Sequence, residues 1–363
     1  MHLRLIFLGV ARGRLPRRLN TRVTAPILSV EADFAPSMSA QYQRYLARNC
    51  HNRTMSVQHE RFTYLDDYGI TIHAQKWVPD AQSLSFTAPV AGDRASFADD
   101  AALGVVQLVH GISEHSGRYD AFARELAAAG FIVYAEDHRG HGLTGMQQHE
   151  GNRKKLGKLG KGGLRATEDA ITKLTALIRE HHPDLPLAVF AHSWGSLMAQ
   201  RILQRAGATA MWDAVILAGT AYRTPRHMNA DDLNKEFGEP HGRDWLSRNP
   251  QVAIDFENDE LNCNVDVLKT FGVVNAAKLF GTPKAPLAPQ VPILITSGSA
   301  DALNKHNGLT LLANDYRRAG VRDVSLKLYP GARHELIHEI NRDEVIADLI
   351  TWLTDRLLEG AAI

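Results

Sequence analysis

The stretch Ala188-Val189-Phe190-Ala191-His192-Ser193-Trp194-Gly195-Ser196 decides the fold. An apolar run from Leu187 to Ala191 drives into a serine flanked by small residues. A helical pattern, Leu197-Met198-Ala199-Gln200-Arg201-Ile202-Leu203, follows at once. The reading is strand, abrupt turn, helix, with Ser193 at the turn. Such a turn holds the serine in a strained backbone geometry that small neighbours allow, and it lifts Oγ clear of the sheet end. Trp194 then offers its backbone N–H at a helix start, where it can donate to a developing oxyanion. A small-x-Ser-x-Gly string is common by itself, so its partners must give it meaning.

Upstream of it, residues 61–66 and 70–78 read as two strands about the turn Asp67-Tyr68-Gly69. Residues 79–102, rich in Ala, Ser and Asp, read as a loop. Residues 104–109 form a buried-type strand ending in His110-Gly111-Ile112-Ser113-Glu114-His115. Tyr119, Phe122, Leu126 and Ala129 recur at helical spacing, and Gly130 closes that helix. Residues 131–135 are the next strand, ending in Asp137-His138-Arg139-Gly140-His141-Gly142. A Gly/Lys-rich loop at 151–163 precedes a helix whose apolar face is Leu164, Ile171, Leu174 and Ile178. Downstream lie strands at 214–217, 292–296 and 324–328, a helix at 309–318 and a last helix through Ile346, Leu349 and Leu353. This alternation predicts an α/β protein whose mainly parallel sheet is covered on both faces. Ligands of such sheets bind at the carboxyl ends of strands, where each of these motifs falls.

A serine hydroxyl is a weak nucleophile unless a histidine takes its proton and a carboxylate orients that histidine. On a strand-turn-helix scaffold the chain order is Ser, then Asp or Glu, then His. Asp301 lies just past the strand at 292–296, in Ser297-Gly298-Ser299-Ala300-Asp301. His334 lies past the strand at 324–328, in Tyr329-Pro330-Gly331-Ala332-Arg333-His334. Order and placement both fit. The expected catalytic residues are therefore Ser193, Asp301 and His334. The backbone amides of Ile112 and Trp194 are the expected oxyanion donors, with Gly111 allowing the tight turn.

At this point the chain from about Glu60 to its end resembles the monoacylglycerol lipase and lysophospholipase group of α/β-hydrolase serine hydrolases. The resemblance rests on His110-Gly111-Ile112-Ser113-Glu114-His115-Ser116-Gly117-Arg118-Tyr119, Asp137-His138-Arg139-Gly140-His141-Gly142, the serine turn, Gly298-Ser299-Ala300-Asp301 and Pro330-Gly331-Ala332-Arg333-His334-Glu335-Leu336. It implies an α/β-hydrolase fold with an eight-stranded type of sheet and the same five site residues. It also implies a helical cap inserted before the late core strands. The core is then expected at 56–221 and 291–363, with the cap at 222–290. Phe237, Trp245, Phe256, Phe271, Val274, Leu279 and Phe280 are the cap's apolar candidates, expected as cap core before substrate contacts. Where the group commonly has Gly-His-Ser-Met-Gly-Gly, this chain has Ala191-His192-Ser193-Trp194-Gly195-Ser196. Alanine is small enough for the turn, whereas the bulk of Trp194 bears on the size of an acyl pocket.

Three other strings carry rival readings. His334-Glu335-Leu336-Ile337-His338 matches the HExxH pattern of zinc proteases, but His334 follows a strand and a Pro-Gly turn and so precedes any helix. His138, His141 and His149 could suggest a metal, yet a tight Gly-rich turn explains them. Residues 151–163 resemble a phosphate loop in composition. Walker spacing fails there, with Leu156 at the second glycine and Leu159 at the Ser/Thr position, so a solvated loop is expected.

Composition sets the outer bounds. The 363 residues are 44% hydrophobic and 22% charged with net charge +1, enough for a proper core and unfavourable to a nucleic-acid partner. Two cysteines, Cys50 and Cys263, build no disulfide framework, and no apolar run reaches membrane-span length. Six arginines fall within residues 1–30, with no acid before Glu31. Residues 1–55 are read as a disordered extension or an over-early start, with a targeting segment as the alternative. The expectation is a cytoplasmic hydrolase that needs no metal or organic cofactor. Its substrate is expected to be a small-molecule ester, an acylglycerol or lysophospholipid, with transient lipid-surface contact through the cap. Aminopeptidase or amidase chemistry is the alternative within the same machinery, and a catalytically idle ligand-binding relative is the alternative of another class.

Overall fold

The computed structural model describes residues 57–79, 102–238, 242–284 and 286–359. The segment at 1–55 and nearly all of the loop at 79–102 lie outside them. Eight strands form one sheet: β1 (Val57–Leu65), β2 (Thr71–Pro79), β3 (Gly104–Val109), β4 (Phe131–Glu136), β5 (Leu187–His192), β6 (Ala214–Ala218), β7 (Ile293–Gly298) and β8 (Val324–Tyr329). Their order is β1-β2-β4-β3-β5-β6-β7-β8. The β1–β2 hairpin and the β2–β4 pair are antiparallel, and every later pair is parallel. Each strand foreseen in the sequence is present, most of them a residue or more longer.

The strands from β3 to β7 are buried on both faces, and alternation divides their side chains between two apolar layers. Val105, Val189, Val215 and Ile293 point into one layer, with α3 (Gly163–His181), α4 (Trp194–Ala206) and α7 (Gly308–Arg318). Val106, Phe190, Ile216 and Leu294 point into the other, with α1 (Asp120–Ala128) and α8 (Arg342–Glu359). The helices present the stripes their spacing demands: Leu164, Ile171, Leu174 and Ile178 of α3 are all buried.

The chain steps from β3 outward to β4 and then back across to β5, so the strand order reverses between β3 and β5. This is the switch point where a parallel sheet opens a crevice at its carboxyl end. The loops after β3 and β5 carry Gly111 and Ser193. The loops after β7 and β8 deliver Asp301 and His334 to the same edge.

A short helix, α2 (Gly142–Gln148), follows the histidine-rich turn after β4. The loop at 151–163 differs from the solvated loop expected. Its cationic residues Arg153, Lys154, Lys155, Lys158 and Lys161 are exposed, but Leu156 and Leu159 are buried, and the Leu159 carbonyl accepts from Arg139 Nε at 3.0 Å. The loop is pinned to the core by apolar anchors that composition alone hides.

Between β6 and β7 the chain carries α5 (Pro250–Asn258) and α6 (Val267–Lys278). Asn249 caps α5 by accepting from Gln251 N, with Pro250 at the first helical position. Leu246, Val252 and Phe256 make a small cluster with Trp245 beside it. The other apolar candidates divide differently from the expected cap core. Phe271 and Leu279 join the main core, whereas Val274 is 71% exposed beside Val273 (75%) and Leu268 (63%).

Asp66, at the end of the β1–β2 hairpin, forms a fully buried ion pair with Arg139 of the histidine-rich turn. Arg139 also donates to the carbonyls of Leu159 and Lys161. Truncating one partner strands a charge in the interior. Asp66→Ala is expected to cost about 3 kcal/mol or more, read as a lower urea midpoint at unchanged slope. Adding Arg139→Met is expected to recover part of that loss.

Candidate active site

Ser193 stands between β5 and α4 with φ 53° and ψ −124°. Its amide donates to Ala218 O at 3.0 Å, and its carbonyl accepts from Leu197 N at 3.1 Å. The helix must start this close to the sheet. A Cβ at Gly195 would stand 2.4 Å from Val109 O and 2.5 Å from His110 O, so no larger residue fits there.

The three residues expected from the sequence meet. Ser193 Oγ lies 2.8 Å from His334 Nε2. His334 Nδ1 lies 3.0 Å from both carboxylate oxygens of Asp301. Asp301 also accepts from Ser297 Oγ at 2.7 Å and from Leu303 N at 2.9 Å. Burial pushes the Asp301 carboxyl up, but the His334 charge and these donors outweigh it and hold the group below its ordinary value. The carboxylate form is thereby favoured, which keeps a proton on Nδ1 and leaves Nε2 free to accept.

The β3 loop closes in from the other side. A Cβ at Gly111 would stand 3.0 Å from Ser193 Cβ, so the segment that leads into Ile112 passes close beside the serine. The Gly111 amide is already engaged, donating to Glu114 Oε1 at 2.6 Å. Trp194 opens α4, where helix geometry leaves its amide without an intrahelical acceptor. Its indole is only 3% exposed. It packs against Phe271 (ring centroids 5.3 Å apart), His141 and His138, and so belongs to the core.

Sequence reasoning missed a buried charge network behind these loops. Glu114 accepts from Gly111 N, from Tyr119 Oη at 2.8 Å and from Arg118, and meets His192 Nδ1 at 3.2 Å. Arg118 forks onto Glu335 with two contacts of 2.7 Å. His192 Nε2 reaches His334 O at 3.3 Å. Burial raises the Glu114 carboxyl, yet Arg118 and His192 hold it well below its usual range. The signal available in the sequence was Glu114 and Arg118, opposite charges four residues apart in one motif.

The HExxH string takes no zinc-protease form. His334 and Glu335 precede a short 3-10 turn at Leu336–His338, so the two histidines do not share a helical face. Glu335 is held by Arg118 and His334 by Ser193 and Asp301. In the other histidine group, His138 stacks on His110 at 3.8 Å and its amide donates to His110 Nε2. His149 is engaged apart from them, with Lys158 O. Among the described residues no cluster of three or more His, Cys, Asp or Glu is arranged to hold a metal ion. Nor is any described helix long and apolar enough to cross a membrane.

Burial pulls His141 and His338 down to about 4. An unfolded chain binds those protons near pH ~6.5, so between about 6.5 and 4 it takes up protons that the fold does not. The stability that these two histidines contribute is therefore fully present above about pH 6.5 and falls as the pH drops toward 4, partly offset by His192, whose value is raised, despite burial, through its hydrogen bond to Glu114. The depressed carboxylates Asp301, Glu114 and Glu335 add their own loss only below about pH 4. Urea midpoints measured across this window are expected to fall with acid, and His338→Gln is expected to flatten the slope.

The chain is similar to several known proteins. The family model described as "Serine aminopeptidase, S33" matches residues 100–341. The "Monoacylglycerol lipase" of Mycolicibacterium smegmatis is 32% identical over 272 residues, covering 70% of this chain and 89% of that protein. The "Monoglyceride lipase" of Mus musculus is 28% identical over 266 residues, covering 70% and 83%. Among solved structures, a highly thermostable carboxyl esterase from Bacillus coagulans in complex with glycerol superposes with a TM-score of 0.63 at 25% identity, covering 84% of this chain and 100% of that one. The chain thus belongs to the serine aminopeptidase, S33 family of α/β-hydrolases, as an ester-hydrolysing, monoacylglycerol lipase-like member.

Proposed function

We propose that this protein cleaves the ester bond of a monoacylglycerol or lysophospholipid through an acyl-enzyme on Ser193. The observation that carries the reading is the unbroken Ser193–His334–Asp301 hydrogen-bonded chain at the switch point of the sheet. His334 Nε2 takes the Ser193 proton, and Oγ attacks the ester carbonyl. The Ile112 and Trp194 amides receive the oxyanion, with Glu114 orienting the Ile112 loop through the Gly111 amide. His334 then returns the proton to the leaving alcohol and activates the water that frees the acid, while Asp301 holds the imidazolium. No step in this sequence calls on a cofactor. A cytoplasmic setting belongs to the same reading.

Residues 222–290 serve in this proposal as a cap. Three contacts support the assignment: Trp245 against His334, Phe271 against Trp194, and His115 Nε2 with Asp259 Oδ2 at 2.8 Å. Leu268, Val273 and Val274, on either side of a break in α6 at Gly272 (φ 75°, ψ 163°), are exposed and apolar and suited to brief contact with a lipid surface. Amide hydrolysis is the second reading, favoured by the description of the family model.

Ser193→Ala is expected to abolish fluorophosphonate labelling and to cut kcat by about six orders of magnitude, with chelator leaving the wild type unaffected. Ile112→Pro, which deletes one proposed oxyanion donor, is expected to lower kcat by about 10²–10³. Persistent labelling in Ser193→Ala would overturn the reading. Rates on p-nitrophenyl esters against aminoacyl anilides decide between ester and amide chemistry. Paired substitution of Val273 and Val274 by Asp is expected to slow hydrolysis of vesicle-bound substrate while sparing soluble short-chain esters.

A further inference from the structure

His334 Nε2 sits 2.8 Å from Ser193 Oγ and must hand its proton to the departing alcohol, so the alcohol oxygen has to come within hydrogen-bond reach of it. Whatever stands against the imidazole therefore bounds the alcohol half of the substrate. Two rings do so: His192, with centroids 4.8 Å apart, and Trp245, with centroids 4.6 Å apart and planes tilted by 43°. His192 is committed inward, to Glu114 and Tyr119. Trp245 is half-buried and comes from the insert between β6 and β7.

The backbone that carries the indole is anchored. Residues 244–248 are fastened to the loop that carries His334. Glu335 N donates to Leu246 O at 2.7 Å, and Ser247 Oγ donates to His338 O at 3.0 Å. Arg248 Nε donates to Glu339 Oε2 at 2.8 Å, and Arg333 Nη1 donates to the carbonyls of Asp244 and Ser247. Trp245 thus travels with the base.

We infer that Trp245 sets specificity for the size of the alcohol, admitting small alcohols and refusing bulky ones. The inference rests on the proposed roles of Ser193 and His334.

The test uses the full-length protein with Trp245→Ala and Trp245→Phe, each checked for an unchanged thermal midpoint. Trp245→Ala is expected to raise the kcat/KM ratio of 2-naphthylmethyl butyrate to ethyl butyrate by about 10-fold, with Trp245→Phe between. The acyl-length profile on p-nitrophenyl esters is expected to stay as in wild type. A ratio unchanged within about twofold, or a uniform fall across all substrates, would overturn the inference. A Ser193→Ala control that still hydrolyses these esters locates the failure in the nucleophile assignment instead.

Discussion

The backbone of Ser193 is the constraint around which the molecule is arranged. An L-residue at φ 53°, ψ −124° costs about 1–3 kcal/mol, and it persists because its surroundings over-determine it. The amide is tied to Ala218 and the carbonyl to Leu197, while β3 presses close enough that only glycine fits at 195. A central parallel sheet buried on both faces supplies the stability that offsets this strain. The result is a hydroxyl held clear of the sheet end before any substrate arrives.

Around that turn, three loops from distant parts of the chain are held in register by buried charge. Glu114 belongs to the β3 loop, His192 to the end of β5, and Glu335 to the segment after β8. Arg118 and His192 join them, so a displacement of one loop would uncover charge in a low-dielectric interior. Rigidity here is electrostatic as much as apolar. It positions the Gly111–Ile112 segment and His334 relative to a hydroxyl that is itself fixed.

The insert is built to a different standard. Part of it sinks into the core of the sheet through Phe271 and Leu279, and part forms the small cluster of Leu246, Val252 and Phe256. Its strongest polar ties run to the loop after β8 and, through His115–Asp259 and Cys263 N–Ser113 O, to the loop after β3. The apolar residues of this stretch looked alike in the sequence, since composition cannot say which faces inward. In the structure Phe271 stacks on Trp194 while Val274 meets solvent. The bulk of Trp194 was conspicuous in the sequence, yet its ring is spent on packing. Trp245, unremarkable among other aromatics, stands beside His334.

Residue order alone determined the succession of strands and helices, the abrupt turn at Ser193 and the placing of Asp301 and His334 past later strand ends. These features are local: hydrophobic period, glycine position and strand termination are written within a few residues of one another. Which charges neutralise which was decided only by the tertiary structure. Arg118 and Glu335 are 217 residues apart, and no local pattern couples them. The same holds for Trp245 against His334 and for the buried leucines of a lysine-rich loop. Side chains acquire such partners when packing brings distant segments to within a few ångströms, where desolvation makes each unmatched group costly.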